Sequence, residues 1–235
     1  MELDFIENMF DGIARRYDLL NRLLSCRQDV YWRRKMISAL GIRGPAVILD
    51  VACGTGDVVM ELIRRHPDLK LVIGADFSMQ MLHIARNKIN VSGNPSNAML
   101  IAANGLRLPV ATDSVDAVTI AFGIRNIMDR QVALAEFYAC LKPGGKLAVL
   151  ELTTPENRLF NRIYLNYFKA ILPRIGAFLS RDTAAYHYLP ASVLAFPRPA
   201  AFAALMRQAG FIDIRWRQMT LGICTLHLGV KPLTA

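Results

Sequence analysis

The sequence predicts an α/β fold in which helices cover both faces of a mostly parallel sheet. Five short apolar runs with the composition of buried strands alternate with segments whose apolar residues recur at helical spacing. The runs are Val47–Val51, Leu71–Ala75, Met99–Ala102, Ala117–Ala121 and Lys146–Leu150. Because parallel neighbours need a crossover connection, the alternation indicates a helix between successive strands. A chain of 235 residues is long enough for one such domain, so we predict a single domain over residues 1–235.

Three parts of the chain depart from this alternation. Two strand-like runs, Phe211–Met219 and Gly222–Val230, follow each other too closely for a crossover helix, and we expect an antiparallel hairpin there. Residues 1–40 form a predicted helical N-terminal cap, whose basic helical pattern runs from Ile6 to Leu40. Residues 155–199 form an insert just after the fifth strand. Their positions in the chain would allow the cap and the insert to cover the face of the molecule that holds the active site, so we place the insert on the substrate side.

Composition restricts the class of protein. Hydrophobic residues make up 53% and charged residues 20%, and no apolar run approaches the roughly 18 residues that a membrane span requires. The N-terminus shows neither a signal nor a transit pattern, which predicts a cytoplasmic location. The formal charge of +9 leaves nucleic acid, an anionic membrane surface and an acidic substrate open as partners. The four cysteines are far apart without a CxxC pair, so we predict reduced thiols and no metal site.

The turn after the first strand carries the strongest local pattern, with glycine at positions 54 and 56. Glycine permits positive φ and close approach of the backbone to a ligand, and the following helix N-terminus favours negative charge. The pattern therefore predicts a cofactor-binding turn. A dinucleotide fingerprint would have glycine where Ala52 stands, and the helix here packs with Val58 and Val59, so a pyrophosphate ligand is disfavoured.

Polar residues follow the next strands at the same edge of the sheet. Asp76 ends the second strand about 20 residues after the glycines, where a carboxylate can accept from ribose hydroxyls. Asn104 ends the third strand, and its amide could read the adenine edge or simply form an Asn-Gly turn. The segment Phe122–Asn126 leaves the carboxyl end of the fourth strand, which is where open α/β sheets hold ligands.

Together, these residues resemble the class I S-adenosylmethionine (SAM) dependent methyltransferases. The resemblance rests on Asp50–Asp57, Asp76, the loop from Leu108 to Asp116, and Leu141–Gly145. It implies a Rossmann-like sheet of seven strands with an antiparallel last strand, and SAM as the cofactor. The cofactor-binding residues that it implies are Asp50, Ala52, Gly54, Thr55, Gly56, Asp76, Phe77, Asn104 and Gly105.

A narrower resemblance, covering nearly the whole chain, is to the quinone-biosynthesis C-methyltransferases. Its segments are Tyr17–Asn21, Ser25, Trp32, Phe122–Asn126, Lys142–Gly145, Glu151, Leu172–Gly176 and Tyr186–Leu189. The resemblance implies methylation of a ring carbon of demethylmenaquinol in menaquinone biosynthesis, or alternatively of a polyprenyl methoxybenzoquinol in ubiquinone biosynthesis. The chain departs from the usual family pattern at Leu20 (usually Met), Asp29 (usually His), Cys53 (usually Gly) and Thr153 (usually Ser).

The chemistry of such a transfer indicates which groups the site needs. Displacement at a sulfonium methyl requires alignment and exclusion of water, and a hydroquinone carbon becomes nucleophilic as its hydroxyl loses a proton. Arg125 could stabilise the resulting phenolate or act as a base through an oriented water, with Asn126 beside it. The alternative for Arg125 is a surface arginine at a helix start. Tyr17 is the other catalytic candidate, on a helix that could close as a lid.

The insert suggests how a lipid substrate is held. Apolar residues recur at helical spacing from Leu159, with basic residues on other faces. They are Leu159, Phe160, Ile163, Tyr164, Tyr167, Phe168, Ile171 and Leu172. They predict either ordinary core packing or an apolar wall for a polyprenyl tail. His187, also in the insert, is either a base or a solvated histidine.

Basic residues near the N-terminus add to the basic residues of the insert and indicate a possible contact with a membrane. They are Arg15, Arg16, Arg22, Arg27, Arg33, Arg34 and Lys35. Together with the insert they could hold the protein peripherally at an anionic membrane surface.

Three other classes remain open. The basic surface is compatible with a nucleic-acid methyltransferase, but the chain lacks the Asn/Asp-Pro-Pro-aromatic motif at the end of the fourth strand, so no nucleic-acid partner is expected. A non-catalytic SAM-binding module and a nicotinamide oxidoreductase are the others. The sequence also leaves a homodimer open.

Overall fold

A computed structural model describes residues 2–93, 97–166 and 184–233. Its centre is a seven-stranded sheet in the order β3-β2-β1-β4-β5-β7-β6. The strands are β1 Val47–Val51, β2 Leu71–Asp76, β3 Ala98–Ala102, β4 Val115–Ala121, β5 Leu141–Leu152, β6 Ile212–Met219 and β7 Cys224–Val230. Only β7 runs antiparallel to its neighbours, β5 and β6, as the resemblance implied. The predicted hairpin is confirmed, and its second strand lies inside the sheet rather than at the edge.

Eight helices are described around this sheet. They are α1 Glu2–Leu24, α2 Gln28–Leu40, α3 Asp57–Arg65, α4 Met79–Val91, α5 Arg130–Cys140, α6 Arg158–Asn166, α7 Ala184–Ala195 and α8 Pro199–Gln208. One apolar core joins the sheet to α2, α3 and α4. A second core joins the opposite face to α5 and α8. The predicted two-sided α/β fold is therefore confirmed.

The N-terminal region is helical from Glu2, slightly earlier than its pattern predicted. Cys26 and Arg27, with φ of 50° and 62°, form the left-handed turn between α1 and α2. Helix α2 is fixed to the core through Trp32, Met36 and Ile37, which are all buried. Helix α1 instead lies over α4 and α2, on the outside of this layer.

The described part of the insert packs against α1. Tyr164 of α6 and Val193 of α7 form a small buried cluster with Leu20 of α1. In the predicted apolar stripe, Leu159 and Phe160 are exposed, so only Tyr164 of these three packs inward. The rest of the stripe lies outside the described residues or side chains, as do Leu172–Gly176 and the side chain of His187.

Within the described ranges, no single helix is long and apolar enough to cross a membrane; α7 and α8 reach that length only as a pair, which is bent by 67°. All four cysteines are free, and Cys26 alone is exposed. His227 is buried in β7 with Nε2 3.0 Å from the carbonyl oxygen of Pro199. Burial lowers the pKa of His227 to about 4, so its imidazole is neutral in the folded chain.

Candidate active site

The turn between β1 and α3 has the backbone conformation that its glycines predicted. Gly54 and Gly56 have φ of 53° and 80°, in the left-handed region. A Cβ added to Gly56 would lie 3.0 Å from the Cβ of Ala85, whereas one added to Gly54 would meet no atom within 4 Å. Close packing against α4 and the positive φ therefore both favour glycine at position 56, and Gly54 borders open space.

Asp76 fixes this turn to the start of α4. Its carboxylate accepts from the backbone N–H of Gly54 at 2.7 Å and from that of Ser78 at 2.9 Å. Burial raises the pKa of Asp76, while these bonds and one from the Phe77 N–H act in the opposite direction. A carboxylate has about four acceptor positions, so capacity remains for a hydroxyl ligand.

A cavity of about 330 Å³ opens beside this turn, at the carboxyl ends of β1, β2 and β4. Eight of the twelve predicted site residues line it: Tyr17, Ala52, Gly54, Asp76, Phe77, Asn104, Gly105 and Asn126. The rest of the wall is largely apolar and includes Met81, Leu106, Phe122, Ile127 and Met128. Most of these apolar residues were not singled out from the sequence, because an isolated apolar side chain has no recognisable pattern.

The other four predicted residues lie off this wall. Gly56 packs against α4, and Thr55 donates to a carboxylate oxygen of Asp18 at 2.5 Å. Asp50 is buried beneath the turn, where one oxygen accepts from the Thr119 hydroxyl at 2.6 Å and the other has no hydrogen-bond partner among the described residues. Burial raises the pKa of Asp50 to about 7. The fourth residue is Arg125.

Arg125 is buried in the short 3₁₀ turn Ile124–Asn126 after β4, so its interpretation as a surface arginine is wrong. Its guanidinium donates to Glu151 at 2.9 Å and to the carbonyl oxygen of Phe122. Burial opposes its charge, but Glu151 keeps the pKa of Arg125 above its ordinary value. Glu151 is fully buried and also accepts from the Arg125 N–H at 3.1 Å.

Asn104 forms the turn contact that one of its sequence interpretations predicted, and its contact with adenine stays a prediction. Its side-chain oxygen accepts from the Leu106 N–H at 2.9 Å, which is the ordinary turn contact. The same residue lines the cavity. The turn contact engages the amide oxygen, and it orients the side chain beside the cavity.

Two tyrosines bring α1 and α7 to the same edge. Tyr17 of α1 lies beside Arg125 and forms a hydrogen bond with Asn21; burial raises the pKa of Tyr17, so its phenol is protonated. The Tyr188 hydroxyl of α7 donates to the Asn126 side-chain oxygen at 3.2 Å. Sequence reasoning gave no role to Tyr188 or Glu151, although both lie in segments that carried the family resemblance.

Ion pairs connect α1 to the back of the cofactor turn. Lys88 binds Asp18 at 2.8 Å and also contacts Asp57, the first residue of α3. Arg33 joins Asp57 at 2.9 Å and Asp29 at 2.5 Å. Asp29, where the family usually has histidine, is therefore buried in this network and is not part of the cavity wall.

Comparison with known proteins gives concordant results. Residues 2–231 match the ubiE/COQ5 methyltransferase family. The ubiquinone/menaquinone biosynthesis C-methyltransferase UbiE of Geobacter sulfurreducens is 45% identical over 97% of this chain and 89% of its own length. The demethylmenaquinone methyltransferase of Thermus thermophilus is 45% identical over 95% of this chain and 100% of its own length. Among solved structures, a SAM-dependent methyltransferase of Thermotoga maritima has the same fold, with a TM-score of 0.66 at 19% identity over 96% of this chain and 99% of that one.

Proposed function

The chain belongs to the ubiE/COQ5 methyltransferase family, and from this premise we propose that it methylates a ring carbon of demethylmenaquinol in the last step of menaquinone biosynthesis. It is a SAM-dependent methyltransferase. The observation that carries the substrate proposal is the site itself. A largely apolar cavity, with Asp76 as the carboxylate in its described lining, opens beside Tyr17 of α1 and Asn126, which suits a quinol ring better than a charged acceptor.

The cavity fits SAM on its own geometry. The open space at Gly54 admits a ligand against the backbone, and Asp76 presents a carboxylate for ribose hydroxyls. Asn104 and Gly105 border the side where an adenine would lie, and Tyr17 closes the cavity from α1. Asp50 and Thr55 would act from behind the turn. When bound, SAM supplies an electrophilic methyl group on its sulfonium.

The protein aligns the ring carbon and controls one proton. With SAM bound, the ring carbon would take the methyl group as the S–CH₃ bond breaks and the hydroxyl proton passes to water. Loss of the ring hydrogen as a proton and return of a proton to the oxygen would then restore the quinol, so that one proton is released overall. Asn126 and Tyr17 hold the quinol oxygen at the cavity wall. Arg125, behind them, stabilises the phenolate charge through the low-dielectric site and orients the accepting water.

The N-terminal cap and the insert exclude bulk water from this reaction. Residues 1–40 reach the cavity through Tyr17, and the insert reaches it through Tyr188 and its bond to Asn126. Water exclusion strengthens the electrostatic contribution of Arg125. We assign the polyprenyl tail to the same side of the molecule, along α6 and α7.

The substrate can be tested by offering short-tailed demethylmenaquinol and an equivalent methoxybenzoquinol in parallel with labelled SAM. We expect kcat/KM at least tenfold higher for demethylmenaquinol. The Geobacter relative is named for both ubiquinone and menaquinone biosynthesis, which favours the benzoquinol alternative. Turnover of the methoxybenzoquinol equal to or greater than that of demethylmenaquinol would support this alternative. Bound SAM without transfer to either quinol would contradict the proposal.

We also place the protein in the cytoplasm, in peripheral contact with an anionic membrane. The segments that form the cluster of Leu20, Tyr164 and Val193 also carry exposed leucines: Leu19, Leu23, Leu159, Leu194 and, next to the packed Ile223, Leu221. Exposed apolar side chains on segments that also carry arginines suit a lipid surface. The proposal predicts that anionic liposomes at low salt sediment more protein than neutral ones, and that Leu23→Ser/Leu221→Ser reduces this binding. Val91→Ser, at an 89% exposed position outside these segments, serves as the control.

A further inference from the structure

A second cavity, of about 500 Å³, lies behind the cofactor turn among α1, α2, α3 and α4. It shares no lining residue with the 330 Å³ cavity. Four cations line it: Arg22, Arg33, Arg64 and Lys88. Its carboxylates are Asp57 and Glu61, and its remaining lining is largely apolar. We call this cavity the cationic cleft.

Each carboxylate of the cleft is already engaged by several cations. Glu61 accepts from Arg34 at 3.1 Å, from Arg64 at 2.6 Å and from Arg65 at 2.6 Å. A single carboxylate cannot compensate three guanidinium groups.

Asp57 is similarly surrounded. It contacts Arg33 at 2.9 Å and Arg22 at 3.8 Å, and it also contacts Lys88. The other partners of these cations are Asp29 and Asp18. The lining of the cleft holds four cations and two carboxylates. The whole set of ion pairs, in which Arg34, Arg65, Asp18 and Asp29 stand outside the lining, holds six cations and four carboxylates, so both counts leave an excess of two positive charges.

The four cations of the cleft differ in how far their side chains are exposed and how firmly ion pairs hold them, and this difference suits a ligand. Arg33 and Lys88 form the inner wall, with side chains 9% and 24% exposed, and their ion pairs hold them in place. Arg22 and Arg64 stand at the mouth, 44% and 59% exposed, where their surface ion pairs contribute little. A phosphate monoester carries about −1.5 to −2 charges at pH 7, and guanidinium groups bind its oxygens in pairs.

We propose that the cationic cleft binds a phosphate or diphosphate group, at a site separate from the methyl-transfer cavity. The two mouth arginines close on its oxygens from α1 and α3. The inner cations supply a fixed positive field. The group can belong to a soluble phosphate or to a phospholipid headgroup, because both present the same oxygens.

The full-length protein can be titrated with inorganic pyrophosphate by calorimetry at constant ionic strength. We expect saturable binding to the wild type, at least tenfold weaker in Arg22→Gln/Arg64→Gln. Arg215→Gln/Arg217→Gln removes the same charge from exposed positions on β6 at the far edge of the sheet, and should bind like the wild type. SAM affinity within about twofold of wild type in both variants verifies the fold. No saturable binding to the wild type, or equal weakening in both double variants, would overturn the proposal.

A second arm identifies the source of the phosphate. Vesicles of phosphatidylcholine with and without phosphatidic acid are offered to the same three proteins. Loss of the phosphatidic-acid-dependent binding in the cleft variant alone assigns the site to a headgroup. Unchanged vesicle binding, with pyrophosphate binding lost, assigns it to a soluble phosphate.

Discussion

The two cavities on either side of the cofactor turn recognise ligands by different physical means. The first is bounded by Gly54 and apolar side chains, and its polar groups are few. The second begins at Asp57, three residues later, and is lined by cations. Helix α1 contributes to both, through Tyr17 and Arg22. One turn therefore separates a site that depends on shape from a site that depends on charge, and substitutions should affect the two sites differently.

The largest expected effect comes from the one buried ion pair beside the shape-dependent cavity. Arg125→Gln leaves Glu151 charged, buried and unpaired, so we expect a loss of about 3–5 kcal/mol of unfolding free energy and most of kcat. Denaturant unfolding and steady-state kinetics measure the two effects. Arg125→Gln/Glu151→Gln should recover stability but not kcat. Recovery of both would show that Arg125 acts only in folding.

A side chain added at Gly54 should weaken cofactor binding strongly, because it would occupy the space that the cofactor needs. We expect Gly54→Val to weaken SAM binding at least a hundredfold, because its side chain enters the cavity. Gly44→Val is the matched control, since Gly44 also has positive φ, 67°, and also meets no atom within 4 Å. Both variants carry the backbone strain, about 1–2 kcal/mol. Equal SAM affinity in the two, by calorimetry, would remove Gly54 from the site.

Tyr188 tests whether the insert contributes to the chemistry. Tyr188→Phe removes the bond to Asn126 while keeping the ring, and we expect kcat to fall about tenfold, or roughly 1.4 kcal/mol. SAM affinity should not change, because Tyr188 is not on the cavity wall. Tyr31→Phe, at an exposed position, is the control. A change in SAM affinity without a change in kcat would contradict this role.

The pKa values of Asp50 and Asp57 test whether the surroundings of the two cavities differ as described. Of the substitutions considered, those at these two carboxylates have the smallest expected effect on activity. Burial raises the pKa of Asp50 to about 7; its contribution to stability is therefore present below pH 3.8 and lost as the pH rises through about 7. The pKa of Asp57 is lowered, because Arg33 and Lys88 outweigh the opposing effect of its burial. Its contribution is present above pH 3.8 and lost as the pH falls.

Unfolding free energies from pH 3 to 8 distinguish these two carboxylates. Relative to wild type, Asp50→Asn should become more stable as the pH rises, and Asp57→Asn less stable. Parallel pH profiles for the two variants would contradict the environments assigned to them. SAM affinity of Asp50→Asn should stay within about threefold, because Asp50 lies beneath the turn.

Sequence reasoning succeeded where local patterns determine structure. β1 has the predicted bounds, and the glycine turn and the strand ends bring seven predicted residues to one cavity, which Tyr17 joins from α1. It failed where partners are distant along the chain. A surface position stays open for Arg125 in the sequence because its partner, Glu151, stands 26 residues later, on β5. Likewise, the bond between Tyr188 and Asn126 spans 62 residues, and Asp29 joins a network whose members lie on four helices.

The most direct test is a single turnover with excess protein, trideuteromethyl-labelled SAM and short-tailed demethylmenaquinol, with the product fragmented by mass spectrometry. We expect one labelled methyl group in place of a hydrogen on a ring carbon. A label on a quinol oxygen, or labelled SAM that remains bound and unreacted, would contradict it.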